Sequence, residues 1–250
     1  MSELIAVQPA TVYVIDAEPR RAESTRALLK NWGLRSESFP TAEEFLKSAP
    51  GTRPGCLLVE HPLQGVPANQ LQQRLAARGE RLPIVVVCDS ASVRDAVDYL
   101  SNGAFTLLEK PCEEAKLRAT IEAAIAADVS RLDTDRRYRE LQRFDEALTD
   151  RERLVLQGIV SGKLNKAMAK QLDVSTRTIE AVRAKIYEKY RVVSAAELAS
   201  KTTELRVLTD LVYKKHNAPL GFGAPSPVNP AGRKDSAWFA PVTSLFQISL

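Results

Sequence analysis

Long apolar runs are missing from these 250 residues, and with them the ~18–20-residue stretch that a membrane-spanning helix needs. Cysteine is scarce. Cys56, Cys88 and Cys112 are an odd number, without metal-ligand spacing or the density of a disulfide-stapled domain, which suits a reducing cytoplasm. The opening MSELIAVQPA has no basic segment followed by an apolar one, so no secretory signal is read there. His61 and His216 lack partners at metal spacing and are expected on the surface or in loops. No Gly-rich phosphate loop and no Ser/His/Asp arrangement is recognisable. An enzyme reading therefore has no residues to support it, and neither a cofactor nor a metal is expected. What is present is an ordinary globular composition, 44% hydrophobic and 26% charged with a formal net charge of +4, long enough for two domains.

That charge is unevenly distributed. Residues 1–127 carry a net −2 and residues 128–147 a net −1, whereas residues 148–206 carry +5 and residues 207–250 carry +2. A compact basic segment beside a mildly acidic one suggests a polyanion-binding module joined to something else. An unevenly charged solvated surface would give the same count.

The first half alternates strand and helix signals. Thr11–Ile15 is β-branched, while Cys56–Val59 and Ile84–Val87 are unbroken apolar runs, as expected of strands covered on both faces. Thr106–Leu108 is a last short strand. Helical patterns around Arg21–Trp32, Thr41–Ser48, Asn69–Arg78, Val93–Asn102 and Glu113–Ala127 lie between or after these runs, and Thr41 with Glu44 forms a capping box. Alternation of this kind predicts a parallel sheet with helices on both faces and a site at the strand C-terminal ends. Residues 113–146 read as one long helix, whose Leu117, Ile121, Ile125, Val129 and Leu132 suit either a dimer seam or packing on its own sheet.

Residues 148–205 contain no strand signal and divide into four short helices. Thr149 and Glu152 form a capping box for the first, and Gly162 ends it. Asn165 is a candidate cap for the second, Lys166–Leu172, and Ser175 caps the third, Thr176–Tyr190, after a turn at Asp173-Val174. Ser194 and Glu197 open the fourth. Two short helices joined by a tight turn, the second basic, are a helix-turn-helix layout. The helical pattern is lost from about Leu208. Residues 218–232 are rich in Pro and Gly and read as a flexible connector, and Ser236–Leu250 is apolar again.

Leu148–Leu198 resembles the LuxR-type DNA-binding domain. Leu148, Thr149, Arg151, Glu152, Gly162, Asn165, Lys166, Ala169, Leu172, Ser175, Thr178, Ile179, Glu180, Arg183, Lys189 and the SAAEL of 194–198 all fall in that family's register. VYVIDAE, TAEEFL, CLLVE with Gly65, LPIVVV and NGAFTLLEKP resemble a receiver domain of the FixJ/NarL class of response regulators. The expected architecture is a doubly wound α/β receiver with a five-stranded parallel sheet (flavodoxin-like), residues 9–127. A helical linker, 128–147, joins it to a small all-α helix-turn-helix domain, 148–206, and a C-terminal extension, 207–250, follows.

The third helix of the basic module is suited to a DNA major groove, with Thr176, Arg177, Glu180, Ala181, Ala184 and Lys185 on its exposed faces. The resemblance implies that Glu180, Ala181 and Ala184 lie near base edges. A Glu accepts from a cytosine amine and an Ala meets a thymine methyl. Lys166, Arg177, Thr178, Arg183 and Lys185 suit phosphates, which supply affinity and register. For Arg183 an ion pair with Glu180 or Asp173 is the alternative. Leu154, Ile159, Ala169, Leu172, Val174, Ile179, Val182, Ile186 and Leu198 are expected in the core, with Val182 standing where the family usually has His.

The receiver departs from its family where the chemistry lies. A working receiver uses an Asp nucleophile, an acidic pair holding Mg²⁺, a hydroxyl, an aromatic switch residue and a Lys. Here those positions hold Glu60, Asp16-Ala17, Cys88, Leu107 and Lys110, and Asp89 replaces a Gly. Losing a carboxylate weakens a Mg²⁺ site, and the extra methylene of Glu60 displaces its oxygen from in-line geometry. A degenerate phosphorylation site, a pseudo-receiver, is the expectation. Two readings of Glu60 stay open: an imitation of the phosphorylated state through Lys110, or a structural Glu–Lys pair in a drifted domain. Cys88 and Cys112 are read as small core residues, with a redox pair as the alternative.

The sequence thus predicts a cytoplasmic regulator that binds double-stranded DNA as a homodimer and is controlled without Asp phosphorylation. The alternative is an adaptor that binds a protein partner through the receiver or the tail's Trp238-Phe239 and Leu245-Phe246, with DNA contact secondary.

Overall fold

The computed structural model describes residues 9–48, 54–63, 68–90 and 92–217. Gly65, the Pro/Gly-rich stretch 218–232 and the apolar end of the chain lie outside them.

Five β-strands alternate with helices. They are β1 (Thr11–Ile15), α1 (Pro19–Asn31), β2 (Arg35–Phe39), α2 (Ala42–Ser48), β3 (Gly55–His61), α3 (Ala68–Ala77), β4 (Ile84–Cys88), α4 (Val93–Ser101) and β5 (Thr106–Glu109). All pairings are parallel, in the order β2-β1-β3-β4-β5. The apolar runs become central strands because both faces are covered. Period-two alternation sends Tyr13, Ile15, Leu57, Val59 and Val86 into one core with Phe45 and Leu71 of α2 and α3. Val12, Val14, Leu58, Val85 and Val87 enter a second core with Leu29 of α1 and Ile121. The five-stranded parallel sheet expected of the doubly wound class is therefore present.

One strand carries no apolar run. In β2, RSESF, no residue is buried, and β2 pairs only with β1 at the sheet edge. An edge strand needs little apolar surface, so its residues gave no strand signal.

Helix α5 runs unbroken for 33 residues, Glu114–Glu146. Leu117, Ile121 and Ile125 pack on the sheet's second core, so its first half covers its own sheet rather than a seam. Further along, Asp128 is fully buried. It accepts from Gly55 N (3.0 Å) and Arg131 Nη2 (2.7 Å), tying the helix to the start of β3. The last turns belong to the helical module: Phe144 packs on Tyr190 with ring centroids 5.9 Å apart, and Tyr190 donates to Asp145 Oδ1 (3.1 Å).

Four helices complete the described chain: α6 (Asp150–Val160), α7 (Asn165–Gln171), α8 (Thr176–Tyr190) and α9 (Ala195–Asn217). Their core contains Val155, Ile159, Met168, Ile179, Ile186 and Leu198. Leu154 is not part of it. It is 42% exposed on the outer face of α6.

The capping box of Thr149 and Glu152 is present: Glu152 N donates to Thr149 Oγ1 (3.3 Å) and Thr149 N to Glu152 Oε2 (2.7 Å). Ser175 Oγ accepts from Thr178 N (3.0 Å) at the start of α8, and Glu197 N donates to Ser194 Oγ (3.1 Å). Asn165 is not the cap of α7. Leu164 holds that position and Asn165 is already helical, because the Asn side chain turns toward α8 to accept from Arg183 Nη1 (3.0 Å).

The fourth helix is not short either. It continues through Leu208 to Asn217, across the expected 206/207 boundary, since no Gly or Pro interrupts the chain until Pro219. Arg137 of α5 clasps Glu204 of α9 through Nε (2.7 Å) and Nη2 (2.8 Å). Among the described residues no helix is long and apolar enough to cross a membrane.

Candidate functional site: receiver pocket and DNA-binding face

Parallel strands of this order create a crevice where β1 and β3 send their helices to opposite faces. Asp16 follows β1, Glu60 is the penultimate residue of β3, and Asp89 and Lys110 follow β4 and β5. They line a cleft of about 570 Å³ together with Arg21 and Leu117. The topology thus brings together Asp16, Glu60 and Lys110, which were picked out in the sequence.

Lys110 Nζ forms an ion pair with Glu60 Oε1 and lies 3.5 Å from Asp89 Oδ1. Burial works against the Lys110 charge, but the Glu60 and Asp89 carboxylates outweigh it and raise its pKa. Asp16 is 6% exposed. Burial pushes its carboxyl up, while bonds from Arg21 and from the Glu18 backbone N–H, with Lys110 nearby, hold it below its ordinary value. Arg21 was not foreseen from sequence. Its Nε donates to Asp16 Oδ2 (2.6 Å) and its Nη2 to Oδ1 (2.8 Å), a two-pronged clasp.

Cys88 is buried at the end of β4, and its thiol faces Leu108 O at 3.6 Å. Burial foremost, with Glu109, Glu60 and Asp89, pushes its pKa up, the opposite of what a reactive thiolate needs. Leu107 packs beside Tyr99 against the first core. His61 is not a free surface histidine. Its Nδ1 is hydrogen-bonded to the Tyr99 hydroxyl of α4, the rings lying edge to face at 5.3 Å. His216 is on α9, its side chain outside the described residues.

In the helical module, the turn between α7 and α8 is tight because Asp173 takes a left-handed conformation, φ 51°. This sets Thr176, Arg177, Glu180, Ala181, Ala184 and Lys185 on one exposed side of α8, with Lys166 exposed on α7. The inner side of α8 buries Ile179, Ile186 and Tyr190. Lys166, Arg177 and Lys185 make no hydrogen bond or ion pair to any described residue.

Two of the expected contacts are more constrained. The Thr178 hydroxyl is bonded to Ser175 Oγ (2.8 Å) within the helix cap. Arg183 is partly buried, and neither Glu180 nor Asp173 is its partner. It donates to Asn165 Oδ1 (3.0 Å) and Tyr187 Oη (2.9 Å) and lies over the Tyr187 ring at 5.7 Å. Lys189 turns inward, bonding Glu152 Oε2 (2.6 Å) and Ala147 O (2.8 Å), and bolts α8 to α6.

Comparison with known proteins agrees with both halves. Residues 12–122 match the response regulator receiver domain, and residues 146–202 match the luxR family of bacterial regulatory proteins. The chain is 31% identical over 199 residues to the transcriptional regulatory protein FixJ of Bradyrhizobium diazoefficiens, a match covering 80% of this chain and 97% of that one. It is 29% identical to the response regulator protein TmoT of Ectopseudomonas mendocina, over 80% of this chain and 90% of the relative. Among solved structures it is similar to the response regulator StyR, with a TM-score of 0.73 and 30% identity, over 78% of this chain and 99% of StyR. These relatives are a transcriptional regulatory protein and two response regulators. A parallel receiver sheet, a capped helix-turn-helix and a likeness spanning 80% of this chain and 97% of a FixJ protein place the chain in the FixJ/NarL class of response regulators with a luxR-type DNA-binding domain.

Proposed function

We propose that the protein is a dimeric transcription regulator whose α8 face reads double-stranded DNA and whose receiver works without phosphorylation of an acidic side chain. The observation that carries the DNA-binding part is the α8 side itself. Lys166, Arg177 and Lys185, three cations without a partner among the described residues, flank the short side chains of Ala181 and Ala184 and the carboxylate of Glu180, which is likewise unpartnered among them. Cations at the rim suit phosphates, and small residues at the centre let the helix approach base edges. Thr178 and Arg183 serve here as positioning residues, with Arg183 keeping N–H groups for a phosphate beyond those given to Asn165 and Tyr187.

The receiver reading rests on the residues at the C-terminal ends of the strands. The fold family implies a Mg²⁺ ion beside the phosphoacceptor, and these residues do not suit one: Asp16 is clasped by Arg21, Ala17 has no ligand atom, and Glu60 is engaged by Lys110. Control then comes from dimerisation, a partner protein or a ligand. Val97 and Leu100 of α4 and Phe105 ahead of β5 are 55%, 51% and 39% exposed, an apolar strip that favours a receiver–receiver contact.

Titrating random-sequence duplex at several salt concentrations tests the DNA reading. A regulator gives log K falling linearly with log salt, and Lys166→Ala or Lys185→Ala each lowers the slope's magnitude by about one. No binding at low salt would sink it in favour of an adaptor.

A further inference from the structure

We infer that Arg21 is a built-in cation that takes the place of a divalent metal ion at Asp16, so that the chain itself supplies the counter-charge of this carboxylate. The inference rests on the phosphorylation-independent reading of the receiver and names the residue that makes the site metal-independent.

Local sequence places the guanidinium there. Glu18 is the N-cap of α1 and Pro19 starts the helix, so Arg21 stands in its first turn, where the side chain reaches back over the helix start to the end of β1. The two prongs of the guanidinium engage both Asp16 oxygens, at 2.6 and 2.8 Å. Oδ1 also accepts from Glu18 N at 2.9 Å. The third guanidinium nitrogen lies 3.4 Å from the Glu18 carboxylate. On the other side of the cleft, Lys110 holds Glu60 and Asp89.

Mg²⁺ needs oxygen lone pairs aimed at it from about 2.0–2.1 Å in near-octahedral array. Three of the roughly four Asp16 lone pairs are directed at N–H groups instead, and the adjacent Ala17 offers none. A guanidinium and a dication cannot share this carboxylate: bringing the ion in would set it against Arg21 in a partly buried site. Arg21 and Lys110 therefore balance Asp16 and Glu60, and the cleft keeps its arrangement whatever the divalent-ion concentration.

The test uses the full-length protein with Mn²⁺ as probe, read by water-proton relaxation, and Mg²⁺, read by the thermal unfolding midpoint. Four proteins are compared: wild type, Arg21→Ala, Ala17→Asp, and the double variant Ala17→Asp/Arg21→Ala. Wild type and Ala17→Asp are expected to show no saturable Mn²⁺ binding and no Mg²⁺ shift. Arg21→Ala alone is expected to unfold at a lower temperature in divalent-free buffer. The double variant is expected to bind Mn²⁺ competitively with Mg²⁺ and to gain stability from it. Ala17→Asp/Arg21→Met keeps the apolar stem and serves if the alanine version does not fold. Metal binding by wild type, equal binding by Ala17→Asp and the double variant, or none by either double variant would each overturn the role given to Arg21. Acetyl phosphate treatment followed by intact mass separates this from the parent reading. A phosphoryl adduct on wild type, lost in Glu60→Gln, would end the phosphorylation-independent reading while the Arg21 result stands on the Mn²⁺ data.

Discussion

At the end of β1 a carboxylate is buried and stays charged, because Asp16 receives two N–H bonds from Arg21 and one from the Glu18 backbone. Although burial disfavours the anion, these groups hold its pKa below the ordinary value. The unfolded chain therefore binds a proton at Asp16 more readily than the folded one. The stabilisation from this site is complete above the ordinary carboxylate range, near pH 4, and is lost as pH falls through the lower folded value. Glu152 behaves alike: burial is outweighed by Lys189 and the Thr149 cap. Glu204 is held down by Arg137. Urea unfolding at a series of acid pH values should give a steep stability limb below about pH 4. That limb should be shallower in Asp16→Asn, and an unchanged limb would mean that Asp16 is not held low. Asp16, Glu60 and Lys110 were legible in the sequence through its resemblance to a receiver domain, which implies a site at the strand C-terminal ends. Arg21 was not, since its contact spans a strand end, a cap and a helix turn, which no single periodicity describes. His61 and Tyr99 are 38 residues apart in sequence, so only the sheet topology could bring them together.

Elements were legible in proportion to how far burial shaped their composition. The central strands are apolar on both faces and were read directly. β2 was missed because its exposed positions carry Arg35 and Glu37. The extension of α9 was missed because its outward Val207 and Leu211 blur the polar-out pattern. Helix α5 was read as one long helix, but the residue that anchors it was hidden among the charges of its second half. Asp128 has no exposure and Arg131 keeps 15% of its side chain exposed, and Gly55 N is the third member of the cluster. Truncating one partner of a buried pair leaves an uncompensated charge and an unsatisfied N–H. Asp128→Ala is therefore expected to lower the unfolding free energy by roughly 3 kcal/mol in urea denaturation. Asp128→Asn keeps an acceptor for Gly55 and should lose less. If both variants match wild type, the anchor lies elsewhere on α5.

At the scale of the whole molecule, α5 is shared. Its first half closes the receiver core, and its final turn contributes Phe144 to the helical core beside Tyr190. A change in how the receiver packs on α5 therefore acts on the same rigid element that supports α8. The proposed dimer can be tested through that connection. Val97 and Leu100 are on exposed turns of α4, away from the cores and from the cleft, so charge placed there should leave the fold intact. Val97→Asp/Leu100→Asp is expected to sediment as a monomer at concentrations where wild type is a dimer. Because two half-sites bound together gain from effective concentration, the variant should lose one to several orders of magnitude in affinity for a two-half-site operator. Its weak, salt-dependent binding to random duplex should change little, since Lys166, Arg177 and Lys185 are untouched. Dimeric sedimentation of the variant would remove α4 from the interface and leave α9, with Val207 and Leu211 exposed, as the surface to examine by the same substitution.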